Sequence, residues 1–329
     1  MKINMNEVQE CIDHLKAIQE IFYNEYGVDD IFSSSKLFEI LIANSLNHEL
    51  IPGQSGSRDA RDDGGEIEYK HYKETSCNHT WTFNDFSDAT IEKLFSIKSV
   101  VFSHINDLGD YPIFDWYYEV PGQVIGEYME AKTPSIKNTR KMINISPNQI
   151  ENIMQIKKSY IDLTSDIDVC PKGPYHDYIC QIYSAINQLE KLTKTNNILT
   201  SNKIWELVVG LKLAHDVLSE QTKYDAKDSE GNLYEYKVSR TRSFNFEDIS
   251  DNVLNKFNDV KRIYMAVVDK KEFKIKELYE AKPEATILRL REKLEEKEIR
   301  YAAKGKEIRR LQVSLSASDL KTIGAIKLI

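Results

Sequence analysis

Apolar residues recur every three or four positions along 6–24 and again along 176–194, the spacing of a helix with one buried face. Residues 36–47 and 203–214 keep that period but are more apolar. Each predicts a second, deeper helix, and the Ser, Thr and Asn residues just before it suit an N-cap. The period then shortens to two. In 58–70 a D-D-G-G turn leads into the alternating E-I-E-Y-K, and in 224–237 D-S-E-G-N leads into L-Y-E-Y-K, so each segment predicts a β-hairpin whose second strand ends at its lysine. Helical spacing returns at 85–95 and 248–258. Short strands rich in Val, Ile, Phe, Tyr or Met follow at 99–104 and 262–268. Residues 284–310 predict one long helix with few apolar positions, most of its charges forming a solvated face.

These parallels reflect an internal repeat. IFSSSKLFEILIANSLNHELI (31–51) aligns without a gap on ILTSNKIWELVVGLKLAHDVL (198–218), with Ile31, Ser34, Lys36, Glu39, Leu46 and His48 identical to Ile198, Ser201, Lys203, Glu206, Leu213 and His215. Further along, 58–70 matches 224–237 with one residue inserted, 83–102 matches 246–265, 137–142 matches 306–311, and 145–153 matches 315–323. Five blocks in one order imply a tandem duplication. The expected organisation is a first unit at 1–162, a linker at 163–174 carrying Pro and Gly punctuation, and a second unit at 175–329. The order helix, hairpin, helix, strand predicts an α/β (α+β) fold, a mixed central sheet flanked by helices in each unit.

Composition narrows the class of protein. With 329 residues, 41% hydrophobic and 29% charged, the chain has enough apolar material for two cores, and it lacks the roughly 18 uninterrupted apolar residues of a membrane span. The N-terminus has acidic residues where a signal peptide would be apolar, and four scattered cysteines form no C-x-x-C pair, so a cytoplasmic protein with reduced thiols is expected. A formal charge of −8 argues against a nucleic-acid partner, but the charge is uneven. Residues 1–164 carry 15 Lys and Arg against 26 Asp and Glu, whereas 165–329 carry 29 against 26.

The hairpins carry the chemistry. Asp59 precedes Glu68-Tyr69-Lys70, and Asp225 precedes Glu235-Tyr236-Lys237. Glu and Lys two apart on a strand share a face, and the hairpin brings the earlier Asp beside them. Two carboxylates suit Mg²⁺, whose remaining positions go to water and a substrate phosphate, while the lysine can orient or deprotonate the attacking water or stabilise transition-state charge. Asp62 and Asp228 also match between copies and compete for the metal-ligand role, although they lie nearer the turn. His48 and His215 match on an apolar helix end, where a packed histidine is the simpler reading. His71 faces Val238 in the alignment and Cys77 has no zinc-spaced partners, so neither belongs to the shared chemistry.

This pattern resembles the PD-(D/E)XK nuclease superfamily, which includes most type II restriction endonucleases. Asp59, Glu68 and Lys70 match the signature in the first unit, and Asp225, Glu235 and Lys237 match it in the second. The leading Pro is absent, with Arg58 and Tyr224 in its place. The resemblance covers the central 65–70 residues of each unit and implies Glu39 and Glu206 as further catalytic acids from the preceding helix. It also implies a restriction-endonuclease-like fold, Mg²⁺ as cofactor at Asp59, Glu68, Asp225 and Glu235, and products with 5′-phosphate and 3′-hydroxyl ends.

The expectation is therefore a monomeric pseudo-dimer that cuts both strands of double-stranded DNA at a specific site, one strand per unit. The alternatives are a nicking or repair endonuclease with one working site, and a non-catalytic DNA-binding module. DNA contacts are expected from Arg240 and Arg242 after the second hairpin, and from the basic trio Lys137, Arg140 and Lys141 with its counterpart Lys306, Arg309 and Arg310, for which a solvated helix end is the plainer reading.

Overall fold

The computed structural model describes residues 5–32, 36–52, 58–84, 86–136, 141–163, 169–196, 198–199, 203–218, 223–247, 249–305, 308 and 311–329. Contacts divide the chain into two compact units, one of Glu20–Ile31 and Ser35–Asn187, the other of Met1–Gln19, Phe32–Ser34 and Gln188–Ile329.

The first copy runs α1 (Met5–Tyr26), α2 (Lys36–Leu46), β1 (Glu49–Leu50), β2 (Ala60–Asp62), β3 (Gly65–Lys73), β4 (Trp81–Asn84), α3 (Asp88–Ser96), β5 (Ser99–Asn106), β6 (Ile113–Pro121), α4 (Gly122–Lys132), β7 (Met142–Ile145), α5 (Pro147–Asn152) and β8 (Ser159–Tyr160). The second repeats that order as α6 (His176–Thr193), α7 (Lys203–Leu213), β9 (Asp216–Val217), β10 (Ala226–Lys227), β11 (Leu233–Ser239), β12 (Ser243–Phe246), α8 (Asp251–Phe257), β13 (Arg262–Asp269), β14 (Lys274–Ala281), α9 (Pro283–Ala302), β15 (Val313–Ser316), α10 (Ala317–Thr322) and β16 (Ile326–Lys327).

Each copy builds one six-stranded mixed sheet, ordered β1-β2-β3-β5-β6-β8 and β9-β10-β11-β13-β14-β16. The hairpin strands pair antiparallel, and the central contacts β3 with β5 and β11 with β13 are parallel. A two-stranded ribbon accompanies each sheet, β4 with β7 and β12 with β15. The fold is thus the mixed α/β arrangement that the pattern predicts.

Three differences from that pattern have local causes. The lysine-bearing strands run past their lysines, to Lys73 and Ser239, because the parallel ladder continues to Lys73↔Ile105 and Ser239↔Val267. The helices after them start late, at Asp88 and Asp251, where the Ser87 and Ser250 hydroxyls accept from Thr90 N and Val253 N and act as N-caps. The long C-terminal helix ends at Ala302, and a turn follows it.

In the first copy α3 and α4 cover a core built around Trp81, Phe102, Tyr118, Ile125 and Met129. Phe244, Phe246, Phe257, Met265 and Leu290 do the same in the second. Fully burying each such side chain is worth ~1.5–3 kcal/mol, enough to fix the central strands rigidly. The face of β3 that carries Tyr69 lies on the other side, where the Tyr69 hydroxyl meets His48 Nδ1 at 2.8 Å; Tyr236 meets His215 in the same way at 2.8 Å.

Candidate active sites

The aspartates are held by backbone geometry. Asp59 N–H donates to Ile67 O at 2.9 Å and Asp59 O accepts from Ile51 N at 3.0 Å, so the residue extends the hairpin beyond β2. Its carboxylate then accepts from Tyr69 N at 2.7 Å, taking up a strand N–H at the point where the ladder stops. Asp225 repeats each contact: to Tyr234 O at 3.1 Å, from Leu218 N at 2.8 Å and from Tyr236 N at 2.6 Å. The residue inserted in the second hairpin is absorbed in the turn, where Gly231 takes φ +84°. Both aspartates therefore sit beside the Glu-Tyr-Lys run despite unequal spacing.

On the face of the strand opposite the Tyr69 and Tyr236 rings, Glu68 accepts a hydrogen bond from Lys70 Nζ, and Glu235 accepts one from Lys237 Nζ at 2.7 Å. The two glutamates are buried, at 8% and 3% exposure. In each, the second oxygen, Oε2, is buried and has no hydrogen-bond partner among the described residues, although Glu235 Oε2 lies 3.1 Å from Lys256 Nζ. Desolvating a carboxylate oxygen without a hydrogen bond is costly, and that cost recurs at equivalent positions of the two copies. The lysine ammonium groups also lie over aromatic rings, Lys70 5.2 Å from the Phe83 centroid and Lys237 5.4 Å from that of Phe246. Those rings stand on β4 and β12, which the alignment already pairs.

Glu39 and Glu206 join from α2 and α7, each in an ion pair with the lysine one turn earlier, Lys36 and Lys203, the latter at 2.6 Å. Their charges reach the hairpin. Burial raises the pKa of Asp59 far above the ordinary carboxylate range, and Glu39 and Glu68 raise it further against the pull of Lys70. Asp225 is raised by burial, then by Glu235 and Glu206. Burial alone would lower the lysine pKa values, yet Glu68, Asp59 and Glu39 together raise that of Lys70, and Glu235, Asp225 and Glu206 do so for Lys237. Three carboxylates thus crowd one ammonium in each copy, and the lysine holds its proton.

The first site opens into a cleft of about 400 Å³ lined by Glu39, Asp59, Glu68, Lys70 and His71, with Thr82 of β4 opposite. His71 is kept neutral, burial taking its pKa down to about 4. The second site carries an added cation. Lys256 of α8 lies 3.1 Å from Glu235 Oε2, at ion-pair distance but without hydrogen-bond alignment, and 5.8 Å from the Tyr224 ring.

The other candidates go elsewhere. Asp62 accepts from Gly64 N at 2.8 Å and pairs with Lys98 at 2.5 Å, and Asp228 accepts from Asn232 N and Glu230 N, both at 2.9 Å, and from the Tyr234 hydroxyl at 2.7 Å. Both are turn-stabilising residues. Arg242 is clamped on Glu277 of β14, with Nε at 2.6 Å, so it is not extended toward a ligand. Arg240 is exposed, and Lys141 is an exposed side chain 3.6 Å from Asp88. Lys137, Arg140, Lys306, Arg309 and Arg310 lie outside the described residues.

Sequence reasoning missed Lys36, Lys203, Phe83, Phe246 and Lys256. All five carried a signal, since each is matched between copies by the same residue, Lys256 by Lys93.

Among the described residues no group of three or more His, Cys, Asp and Glu side chains forms a ready-made metal cage, and no helix is long and apolar enough to cross a membrane. Mg²⁺ does not need such a cage, because it binds through one or two carboxylates and keeps waters and substrate phosphate as its other ligands. Glu68 Oε2 beside Asp59, which has no hydrogen-bond partner among the described residues, fits that requirement; beside Asp225 the equivalent oxygen of Glu235 is shared with the Lys256 ammonium. Comparison with protein-family models and with curated proteins finds no match for the chain.

Proposed function

We propose that the chain is a Mg²⁺-dependent, site-specific double-strand DNA endonuclease of the type II restriction kind, acting as a monomer with one hydrolytic centre per copy. The observation that carries this reading is the buried glutamate oxygen that has no hydrogen-bond partner among the described residues in either hairpin, beside an aspartate and a lysine that keeps its proton.

In this reading Asp59 with Glu68, and Asp225 with Glu235, would hold the ion. Each is anchored through one oxygen, Asp59 by Tyr69 N and Glu68 by Lys70, which orients the carboxylates before anything binds. Mg²⁺, when bound, lowers the pKa of a ligated water and offsets charge on the phosphoryl group. Lys70 and Lys237 keep their protons, so each donates to a non-bridging phosphoryl oxygen or to the attacking water rather than removing a proton from it. Water forms the new bond to phosphorus, the bond from phosphorus to the 3′-oxygen breaks, and that oxygen leaves as the 3′-hydroxyl with a proton that water supplies. Glu39 and Glu206 act through Lys36 and Lys203 as positioning acids that fix the electrostatic balance around the aspartates.

Incubating supercoiled plasmid with the protein and Mg²⁺ tests the proposal. Discrete linear fragments with 5′-phosphate ends are expected, and no conversion with Mg²⁺ or Mn²⁺ would overturn it. One observation favours a second reading, a nicking enzyme: Lys256 contacts the second site alone, and accumulation of open circles without linear product would support it.

A further inference from the structure

Helix α9 and its counterpart α4 occupy the same place in the repeat but differ in length, 20 residues against 11. At 1.5 Å per residue the second copy extends this helix by about 13 Å. Over the extension the charges are sorted. Lys293, Lys297, Arg300 and, just past the helix end, Lys304 follow one another at steps of four, three and four, which places them on one face, and that face lines a cleft against β15. The cleft has a volume of about 610 Å³, and Tyr301, Gln312 and Ser314 complete its polar wall. One carboxylate enters it, Glu296, and that charge already has Arg289 at 3.2 Å. At the inner end Lys293 is tied to Asp319 at 2.6 Å, and Lys297 donates to Gln312 O at 2.7 Å, so both are held in position.

The cleft is close to the second hydrolytic centre through a single strand. Ser314 stands opposite Asn245 in the β12–β15 ribbon, and Phe246, the next residue of β12, carries the Lys237 ammonium. Adjacent strands are ~4.8 Å apart, so β15, which forms one wall of the cleft, lies one strand away from the strand that carries Phe246 under Lys237. Four cations on a mostly polar wall, with Val313 as its aliphatic residue, suit a chain of phosphates.

We propose that this cleft of the second copy binds the sugar-phosphate backbone of the DNA that Glu235 and Lys237 cut, as a sequence-independent anchor. This inference rests on the endonuclease reading. It assigns a role to charges whose sequence alone reads as a solvated face.

The test is binding of a fluorescein-labelled DNA duplex by the full chain in EDTA, with affinity measured across a salt series. The variant is Arg300→Gln with Lys304→Gln. Arg291→Gln is the control, because that cation pairs with Asp251 at 3.4 Å and does not line the cleft. The double variant is expected to bind at least tenfold more weakly at moderate salt, with a slope of log affinity against log salt shallower by about 2, while the control changes neither. Unchanged affinity and slope in a double variant that still cuts plasmid would overturn the anchor and leave the endonuclease reading intact. Absence of duplex binding and of cleavage by the unaltered chain would overturn both.

Discussion

Lys256 Nζ lies 3.1 Å from Glu235 Oε2, whereas Lys93, the residue aligned with it in the first copy, is exposed on α3. The two centres are thus built from the same residues but are electrostatically unequal. In the second, an incoming cation must displace a lysine that is only partly open to solvent.

The first prediction concerns metal loading. Titration of the protein with Mn²⁺ by calorimetry should give two sites of unequal affinity, the weaker one in the second copy. Lys256→Met should tighten that site by about tenfold, equivalent to about 1.4 kcal/mol, and leave the first unchanged. Two equal sites in the unaltered chain would contradict the inequality.

The pH dependence of stability follows from the aspartates. Asp59 titrates at about 8 and Asp225 at about 7 in the folded chain, against 3.8 for an ordinary aspartate. Between those values the folded state binds more protons than the unfolded state, so stability falls as pH rises from about 4 to about 8. Asp59→Asn removes one of these charges and should be more stable than the unaltered protein in EDTA at pH 8, by the order of a few kcal/mol, with the advantage vanishing near pH 4. Saturating Mg²⁺ should stabilise the unaltered chain and not the variant at this site. Thermal melts across pH with and without Mg²⁺ measure both effects.

Strand choice tests the assignment of one centre to each strand. Lys70→Ala and Lys237→Ala, made singly, should each convert linear product to open circles, and the strand nicked should differ between the two. Sequencing the nicked plasmids reads this directly, and full double-strand cutting by either variant would contradict it.

Binding separates from cleavage at the glutamates. Glu68→Gln with Glu235→Gln should abolish Mg²⁺-dependent cutting while duplex affinity in EDTA stays the same or rises, because carboxylates facing phosphates repel them. The measurement is a mobility shift beside a plasmid assay.

Local spacing made much of this legible in the sequence. The repeat, the paired helices, the hairpins and the convergence of Asp59 with Glu68 and Lys70 depend on residues close in the chain, and periodicity reports such relationships well. Strands β6 and β14 did not declare themselves. Each follows a partner that breaks register, between His104 and Ile105 or between Val267 and Val268, and Ile113–Pro121 lacks a clean two-residue alternation. Arg242 looked available for bases because Glu277, its partner, is 35 residues away in the chain. The contact of Lys256 with Glu235 was equally silent, since it depends on how α8 packs against the sheet.

One strand in each copy points Glu and Lys to one side and Tyr to the other, with His48 or His215 receiving the tyrosine hydroxyl. A slip of one residue along β5 or β13 would exchange those faces, burying the charges against histidine and turning the phenol toward the cleft. Correct pairing and the assembly of the Glu–Lys face are therefore the same event. Under the proposed endonuclease reading, a molecule paired out of register would be inert protein.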